Sequence, residues 1–342
     1  MMNKINSFLL SGILFGAIVS CATKNPVYDS FSGFVQGTTY SIIFQNDGKL
    51  TPLTVKTGVE DLLHEFDMSL SIYQDSSIVS KINRNEDVEI DSFFIEVFRK
   101  AEEITKLTNG CFDVTVGPLV KAWGFGPDAM KNFSELKRDS LMKLVGMDKV
   151  KISGDRLVKA DPDIILDFNA IAKGFSVDVV GRYLDRLGVE SYLVEIGGEI
   201  RVKGDKGGVM WRIGIDKPAD YNFSPGGKLQ AVISLKERSL ATSGNYRKFF
   251  VENGVKYSHT IDPATGYPVK HTLLSATILA GDCATADAVA TACMVMGLDK
   301  SISFLNEQPE FEGYLIYSDE TGEFRTWSSE GLDRFISESE EN

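Results

Sequence analysis

Apolar residues recur at two different spacings along the chain, and these spacings predict its helices and strands. Apolar positions three or four residues apart indicate amphipathic helices, whereas alternation among β-branched and aromatic residues indicates strands. Helices are predicted over residues 55–70, 92–107, 134–144, 172–187 and 284–296, followed by a short helix near the C-terminus. Strands are predicted over residues 34–44, 164–168, 192–196, 313–317 and 323–327, and residues 198–279 are predicted to be mostly strands.

The order of these elements predicts one α+β unit over residues 33–342. The long strand-rich stretch does not fit a doubly wound sheet, in which strands and helices alternate. A two-lobed unit with a ligand between the lobes stays open as an alternative. The chain has 342 residues, of which 43% are hydrophobic and 25% charged, as is ordinary for a folded protein. Its net charge of −12 argues against non-specific binding of nucleic acid, which needs a basic surface.

The first twenty residues, 1–20, are predicted to be a signal peptide rather than part of the fold. Lys4 precedes an apolar stretch over residues 8–19, which is too short for a membrane-spanning helix and suits a signal-peptide core. Ser20 and then Cys21 follow. This arrangement resembles the bacterial lipobox, in which the cysteine takes a lipid and becomes the new N-terminus. An ordinary secretory signal with a chance cysteine is the alternative.

A lipidated Cys21 predicts a protein of the bacterial cell envelope, facing the periplasm and attached to a membrane through its anchor. Residues 21–32 are then predicted to be a polar tether to the folded body. Cys111, Cys283 and Cys293 remain in the mature chain. Their odd number and the absence of a CxxC pair predict free thiols rather than a disulfide framework.

Several catalytic signatures are absent from the sequence. It contains no dinucleotide-binding GxGxxG, no phosphate-binding GxxxxGK[ST], no HExxH and no GxSxG. Because the chain has three histidines, a histidine-rich zinc site is not expected either. These observations argue against a Rossmann dehydrogenase, a P-loop kinase, a zinc protease and an α/β-hydrolase.

Two polar residues on the predicted helix 284–296 indicate a metal site. Asp287 and Thr291 are four residues apart and share one face of a helix made mostly of Ala, Val, Cys and Met. A carboxylate is costly in such surroundings unless it is paired or bound to a metal. One carboxylate, one hydroxyl and a backbone carbonyl, completed by water and phosphate, would suit Mg²⁺. The alternative is an acid near the helix N-terminus with a threonine bonded back to its own helix.

Other segments carry candidate chemistry beside an ordinary structural interpretation. Residues 167–178 run from a buried strand into a helix whose N-terminus, with Lys173 in its first turn, suits a phosphate; a helix cap is the alternative. His259 lies in a segment rich in Ser and Asp, which makes it a better acid–base candidate than an isolated histidine. Asp113 precedes a glycine-rich turn and could hydrogen-bond a ligand, although composition alone favours a structural turn.

Six segments, in their order along the chain, resemble the signatures of the ApbE family, the FAD:protein FMN transferases. They are FDVTVGPLVKAWGFG, DFNAIAKGFSVD, VEIGGE, LATSGNYRKF, YSHTIDPATG and TADAVATACMVMG, and the resemblance extends from about residue 33 to about residue 336. The family implies an enzyme that binds FAD and Mg²⁺, moves FMN through a phosphoester to a Thr or Ser of a partner protein and releases AMP. The implied acceptors are subunits of membrane redox complexes, of the Na⁺-pumping quinone reductase or Rnf type.

The resemblance also implies roles for particular residues. The metal ligands would be the side chains of Asp287 and Thr291 and the backbone carbonyl of Ala170. The residues expected to contact FAD are Gln36, Tyr73, Cys111, Phe112, Asp113, Asp167, Lys173 and Ile261. Gln36 departs from the family, many members of which carry Met at this position, and this departure touches no metal ligand.

His259 is the expected general base. The acceptor hydroxyl must lose its proton as it attacks the FMN phosphorus, and an imidazole, with an ordinary pKa of about 6.5, suits that transfer. Mg²⁺ would reduce the negative charge of the phosphates. An Mg²⁺-dependent FAD pyrophosphatase, in which water replaces the acceptor hydroxyl, is the first alternative. A non-enzymatic flavin-binding lipoprotein is the second.

Overall fold

The computed structural model describes residues 26–125, 134–217, 228–245, 249–252 and 255–338. Within them the helices are α1 (Pro52–Leu70), α2 (Ile78–Asn83), α3 (Ser92–Leu107), α4 (Gly117–Ala122), α5 (Glu135–Met142), α6 (Ala172–Arg186), α7 (Cys283–Met296) and α8 (Leu298–Glu307). The strands are β1 (Tyr28–Val35), β2 (Thr38–Gln45), β3 (Val150–Ser153), β4 (Arg156–Lys159), β5 (Tyr192–Ile196), β6 (Glu199–Lys203), β7 (Trp211–Asp216), β8 (Leu229–Leu235), β9 (Arg238–Gly244), β10 (Phe249–Glu252), β11 (Val255–Ser258), β12 (Leu273–Ala280), β13 (Glu312–Ser318), β14 (Phe324–Ser328) and β15 (Ile336–Glu338). This mixture confirms the predicted α+β class.

Eight strands form one antiparallel sheet on which the other elements are arranged. Its strand order is β1-β2-β5-β6-β9-β12-β13-β14, and every neighbouring pair is antiparallel. A smaller sheet has the order β15-β8-β7, and the hairpins β3–β4 and β10–β11 are separate from both sheets. The large sheet takes strands from both halves of the chain, as a single unit requires.

The two faces of the large sheet are covered differently. Alternate residues of a strand point to opposite faces. In β12, Ala276 and Ile278 join the core that contains α7, whereas Leu279 joins the core that contains the small sheet. Helices α6 and α7 therefore lie together on one face, where they contact each other and the strands beneath them, and the small sheet covers the opposite face.

The longer predicted helices are confirmed to within a few residues. Helix α1 begins earlier than predicted, at Pro52, because proline suits the first turn of a helix. Helices α6 and α7 end just before Gly188 and Gly297, which have φ angles of 77° and 76°. Glycine adopts this left-handed conformation at no steric cost, and it commonly ends a helix.

The prediction of a single strand over residues 34–44 was wrong. Strands β1 and β2 instead form an antiparallel hairpin whose turn lies at Gln36 and Gly37, with φ angles of 52° and 72°. Two successive residues with positive φ are typical of a tight hairpin turn. The sequence did not reveal this turn because β-branched and aromatic residues continue on both sides of it.

The predicted tether over residues 21–32 was wrong from Tyr28 onward, because β1 begins there. Two aromatic side chains, those of Tyr28 and Phe31, pack this edge strand against the rest of the fold. The Tyr28 ring packs edge-on against Trp211 with 6.0 Å between ring centroids, and Phe31 packs against Phe44 at 6.0 Å. Such contacts bury large apolar areas, so two of them suffice to order a short polar strand.

Residues 164–168 are extended and largely buried, as predicted, but they do not belong to a sheet. Their backbone groups are bound in a different way. The Asn83 side chain accepts from the Leu166 N–H at 2.8 Å and donates to the Leu166 carbonyl at 2.9 Å. The Asp167 N–H donates to the Val114 carbonyl at 2.8 Å. A side-chain amide thus replaces the neighbouring strand that the prediction assumed.

The prediction of a short C-terminal helix was also wrong. Residues 330–335 form turns, and the strand β15 follows and pairs with β8. Leu332 is fully buried in the core beneath the small sheet, which fixes the path of this segment. Burial of Leu332 and the pairing of β15 with β8 therefore hold this segment as turns and a strand instead of a helix.

No helix in the described ranges is both long and apolar enough to cross a membrane. The predicted signal peptide, residues 1–20, and Cys21 lie outside those ranges. Cys111, Cys283 and Cys293 are free, as predicted, and the two thiols on α7 are fully buried. Burial raises the pKa of both α7 thiols, which keeps them neutral.

Helices α6 and α7 approach each other closely at Gly174. A Cβ atom at this position would lie 2.2 Å from the Cys283 carbonyl oxygen and 2.8 Å from the Asp287 Cβ. Glycine is therefore required by the space between the helices and not by its backbone conformation. This contact sets the distance between the N-terminus of α6 and the side chains that α7 presents to it.

Replacing Gly174 with Ala is expected to force the two helices apart. Alanine favours helix by about 1 kcal/mol over glycine, but overpacking of this kind costs about 1–3 kcal/mol, so the variant should be less stable than the parent. Gly281→Ala is the control, because a Cβ there would have nothing within 4 Å. The urea midpoint should fall for Gly174→Ala alone; equal midpoints for both variants would contradict the packing argument.

Candidate active site

Two aspartates join α6 and α7, and each binds the N-terminal turn of the opposite helix. Asp287 of α7 accepts a hydrogen bond from the Gly174 N–H at 3.0 Å. Asp178 of α6 accepts from the N–H groups of Cys283 and Ala284 at 3.0 and 2.9 Å. The first N–H groups of a helix have no partner within that helix. Each carboxylate therefore satisfies donors that the fold would otherwise bury without a partner.

Thr291 lies one turn beyond Asp287 on the same face of α7. Its hydroxyl shares a hydrogen bond with Ser243 Oγ of β9 at 3.1 Å and is not bonded back to its own helix. Asp287 is 4% exposed, whereas Thr291 is only half-buried. This face of α7 thus carries one deeply buried carboxylate and, one turn later, the hydroxyl of a half-buried threonine.

A second buried carboxylate, Glu199, belongs to the same region, and the sequence reasoning did not select it. Glu199 begins β6 directly after two glycines and is 2% exposed. It forms an ion pair with Lys173 of α6. Its other carboxylate oxygen, Oε2, has no hydrogen-bond partner among the described residues. The signal in the sequence was an acid after a double glycine, which also occurs in ordinary close packing.

Lys173 lies in the field of two buried acids. Burial raises the pKa of Glu199 to about 7, with Lys173 acting to lower it and Asp287 to raise it. Burial also raises the pKa of Asp287, opposed by Lys173. Burial acts to lower the pKa of Lys173, but the carboxylates of Glu199 and Asp287 raise it above its ordinary value. The single positive charge of Lys173 therefore compensates only one of the two carboxylates, and a bound cation would balance the remaining negative charge.

Three of the predicted residues lie around the turn that leads into α6: Tyr73, Asp167 and Ala170. The Asp167 carboxylate accepts from the Asn169 N–H at 2.9 Å and so shapes the turn that contains Ala170. Burial raises the pKa of Tyr73, the Asp167 carboxylate raises it further, and Asn169 lowers it. Tyr73 is nevertheless 62% exposed. An aromatic face is thus open to solvent beside a helix N-terminus.

Gln36 reaches α6 from the β1–β2 turn. Its side-chain carbonyl accepts a hydrogen bond from Ser176 Oγ at 3.3 Å. Asp67 of α1 is its other neighbour: burial raises the pKa of Asp67, whereas Gln36 and His64 act to lower it. The structure therefore brings Gln36 to the N-terminal half of α6, near the other predicted residues on that helix.

Cys111, Phe112 and Asp113 follow α3 and make mainly structural contacts. Phe112 is buried in the core, and Cys111 is half-buried. The Asp113 carboxylate accepts from the N–H and the hydroxyl of Thr115 at 2.7 and 2.6 Å, and its second oxygen accepts from the Met147 N–H at 3.2 Å. A ligand contact by this segment would therefore depend on Cys111 or on backbone groups.

His259 and Ile261 belong to the segment that follows β11. The half-buried His259 ring packs edge-on against Phe125, with 6.4 Å between centroids. Ile261 is buried and pairs with Pro268 across a short bridge. Between Ile261 and Pro268, the Asp262 carboxylate accepts a hydrogen bond from the Ala264 N–H at 2.9 Å. The loop over residues 261–268 is thus closed on itself, and His259 lies at its start.

The donors near Asp287 are suited to magnesium. Across the described ranges, no cluster of three or more His, Cys, Asp or Glu side chains could hold a metal. Mg²⁺ does not need such a cluster, because it takes oxygen ligands, keeps several waters and shares phosphates of the substrate. The Asp287 carboxylate and the Thr291 hydroxyl are donors of this kind. The excess of buried negative charge around Lys173 also fits a cation.

Comparison with known proteins identifies the family to which the chain belongs. Residues 36–315 match the model of the ApbE family. The chain is 37% identical over 341 residues to the FAD:protein FMN transferase of Haemophilus influenzae, covering 96% of this chain and 97% of that protein. It is similar to the structure of the flavin transferase ApbE from Vibrio cholerae, with a TM-score of 0.80, 36% identity and coverage of 91% of this chain and 99% of that one. The flavinyl transferase ApbE of Pseudomonas stutzeri gives a TM-score of 0.81 at 31% identity, covering 92% and 98%.

The fold and these relatives define the class of the protein, which is a transferase. The chain belongs to the ApbE family, whose model spans the fold from the β1–β2 turn to β13. The resemblance inferred from six sequence segments is thereby confirmed. The roles of the individual site residues stay predictions.

The buried Glu199 is expected to make stability depend on pH. Its folded-state pKa of about 7 exceeds the ordinary value of about 4.3 expected in the unfolded chain. The folded state therefore holds this proton more tightly. The stability from this group is fully present below about pH 4 and is lost as the pH rises through 7. At about 1.4 kcal/mol per pKa unit, the free energy of unfolding should fall by about 2–4 kcal/mol over that range.

Glu199→Gln removes this titration and so provides the comparison. Urea unfolding of both proteins, measured across this pH range with EDTA and without flavin, should show the parent losing stability relative to the variant. Glu190→Gln, at an exposed position, should follow the parent. Parallel pH profiles for the parent and Glu199→Gln would contradict the buried ionisation.

Proposed function

We propose that this protein transfers the FMN half of FAD to the hydroxyl of a Thr or Ser in a partner protein, releases AMP and depends on Mg²⁺. The names of its relatives support FAD:protein FMN transfer. The observation that carries the proposal in this chain is the buried Asp287, which is bonded to the first turn of α6 and shares Lys173 with Glu199.

The residues proposed to hold Mg²⁺ are Asp287, Thr291 and, through its carbonyl, Ala170. When bound, the ion reduces the negative charge of the pyrophosphate and makes its phosphorus easier to attack. Burial raises the pKa of Asp287, and a nearby cation acts in the opposite direction. Ionisation of Asp287 and cation binding therefore favour each other.

The N-terminus of α6 and Lys173 are proposed to contact the phosphates. Helix α6 begins without a side-chain cap on its first residue, and a helix N-terminus attracts anions through its N–H groups and its dipole. The interpretation of this turn as a mere cap accounts for the Gly174 N–H, which Asp287 binds, but it does not require a lysine in the same turn. Lys173 adds a second positive charge where the substrate is most negative.

His259 is proposed to accept the proton of the acceptor hydroxyl. As that oxygen bonds to the FMN phosphorus, the bond from this phosphorus to the bridging oxygen breaks, and AMP leaves with the bridging oxygen. The proton passes to the His259 imidazole. Packing of the ring against Phe125 restricts its orientation, which is what a base aimed at one oxygen requires.

The flavin ring system is proposed to lie against Tyr73, whose exposed ring stands beside the turn before α6. Aromatic faces stack favourably on planar ring systems. Gln36, Asp167, Cys111 and Ile261 are proposed as further contacts. Phe112 and Asp113 are proposed to contribute through the backbone, because their side chains are occupied by the core and by hydrogen bonds.

We also propose that the protein is lipid-anchored in the envelope and faces the periplasm. The apolar segment 8–19, followed by Ser20 and Cys21, supports cleavage before Cys21 and attachment of a lipid to its thiol. An anchored enzyme would meet acceptor hydroxyls on proteins of the same membrane. The proposed partners are subunits of redox complexes of the Na⁺-pumping quinone reductase or Rnf type.

The activity is tested by incubation with FAD, Mg²⁺ and a purified acceptor fragment. Flavin fluorescence that stays with the acceptor in a denaturing gel, and that EDTA abolishes, is the expected result. Free FMN with an unlabelled acceptor would instead identify an FAD pyrophosphatase. If FAD were bound but never turned over, the proposal would be overturned in favour of a flavin-binding protein.

Asp287→Asn is expected to lower flavin transfer by about 10²–10³-fold, the usual effect of removing one electrostatic group at a reacting centre. The asparagine can still accept the hydrogen bond from the Gly174 N–H, so the loss should be one of charge and not of folding. Asp299→Asn, at an exposed position on α8, is the control and should keep the parental rate. Transfer at the parental rate by Asp287→Asn would remove it from the site.

Thr291→Val is expected to raise the Mg²⁺ concentration needed for half-maximal transfer by about 10–100-fold. Thr291→Ser restores the hydroxyl and should restore the parental Mg²⁺ dependence. Titration of the transfer rate with Mg²⁺ distinguishes the two variants. If both gave the parental curve, the hydroxyl would have no part in binding the ion.

His259→Ala is expected to lower the transfer rate by about 10²–10⁴-fold. The dependence of the rate on acidic pH should also change, because one of the groups that must be deprotonated is gone. His64→Ala, at an exposed histidine on α1, is the control. A full transfer rate in His259→Ala would show that another group takes the proton.

A further inference from the structure

An exposed apolar surface lies where the folded body begins. Val27, Val209 and Met210 are 63%, 63% and 41% exposed. Val27 directly precedes β1, and the other two residues belong to the loop between β6 and β7. Single exposed apolar residues are common, but these three come from two chain segments that are fastened together. We call them, with Lys206 of the same loop, the N-terminal patch.

Tyr28 fastens the two segments. Its hydroxyl donates to the Asp205 carbonyl at 2.8 Å and accepts from the Gly207 N–H at 3.2 Å. Its ring packs edge-on against Trp211, at the far end of the loop. Gly207 also lies against Pro26, since a Cβ on Gly207 would be 3.4 Å from the proline ring. The loop is therefore fixed on the first residues of the body.

The tip of this loop differs in charge from the chain as a whole. The carboxylate of Asp205 accepts from the Gly208 N–H at 2.7 Å and pairs with Lys236 at 2.8 Å, so its charge is compensated. Lys206 is exposed and stands next to two glycines, Val209 and Met210. The tip thus presents one ammonium and two apolar side chains, although the protein has a net charge of −12.

We propose that the N-terminal patch rests on the membrane that holds the lipid anchor, with Lys206 among the headgroups and the apolar side chains at the boundary with the acyl chains. This inference rests on the proposed lipidation of Cys21. Val27 is six residues beyond Cys21, and six residues span at most roughly 20 Å. An anionic leaflet repels an acidic protein, so the face that approaches it is one that carries cationic and apolar groups.

This orientation fixes where the candidate site lies relative to the bilayer. Strand β1 runs from the N-terminal patch to the turn at Gln36, which contacts Ser176 of α6. A strand of eight residues spans roughly 25 Å. With the patch on the membrane, the far end of the β1–β2 hairpin is directed away from Val27, and the site is presented at the opposite end of β1 to the anchor.

The test uses the full lipidated protein in phosphatidylcholine–phosphatidylglycerol vesicles. Val209→Cys carries an environment-sensitive fluorophore, and Met210→Cys is a second probe position in case the first variant folds poorly. Leu136→Cys is the control, because Leu136 is exposed on α5, which packs against α4. The parent, labelled in the same way, gives the background from the half-buried Cys111.

Nitroxide-bearing lipids should quench the probe at Val209 or Met210 about twofold more than the probe at Leu136, as insertion into the headgroup boundary requires. The emission of the probe at Val209 or Met210 should also shift to shorter wavelength, relative to the same probe on Cys21→Ala protein in solution. If the protein floats with the vesicles but both positions are quenched alike, the patch does not rest on the membrane and the inference is overturned. If the protein does not float with the vesicles, the proposed lipid anchor and the inference about the patch are both overturned. The FAD transfer assay does not depend on the quenching or on the flotation result, so the proposed activity is tested separately.

Discussion

The hydrogen bond from the Gly174 N–H to Asp287 is the contact on which the arrangement of the site depends. It requires α6 and α7 to approach within the distance that only a glycine allows. Asp178 makes the reverse contact, with two N–H groups at the start of α7. Because each helix supplies the acid that its neighbour needs, neither helix can shift without leaving buried donors unpaired. The relative position of the candidate ligands is therefore a property of the helix pair.

Two buried acids, Asp287 of α7 and Glu199 of β6, meet near the start of α6, where little water can reach. Asp287 and Glu199 are almost completely buried, and Lys173 is the cation placed between their fields. Burial alone would favour the protonated acids. A protein that only needed stability would gain by replacing such a cluster with apolar residues. Two buried acids around one lysine are therefore a costly arrangement that stability alone does not require.

The spacing of apolar residues along the sequence predicted the helices and strands that carry the site. The features that were missed depend on contacts between residues far apart in the chain. Helix α7 and the shared face of Asp287 and Thr291 follow from helical spacing, which a sequence displays directly. Glu199 was missed because its significance comes from Lys173, which lies 26 residues earlier in the chain. The hairpin at Gln36 was missed because its turn interrupts a continuous β pattern. The residues next to an acid or a strand in the sequence do not indicate which distant residue will contact that acid or pair with that strand.

The two hydrogen bonds between the Asn83 side chain and the Leu166 backbone have a mechanical consequence for the turn that leads into α6. A β-ladder would bind residues 164–168 to the large sheet along their whole length, whereas here the Asn83 side chain binds Leu166 and the Asp167 N–H binds the Val114 carbonyl, both outside that sheet. A movement of the segment that leads to the Ala170 turn would therefore break these few hydrogen bonds and leave every strand pairing of the large sheet intact.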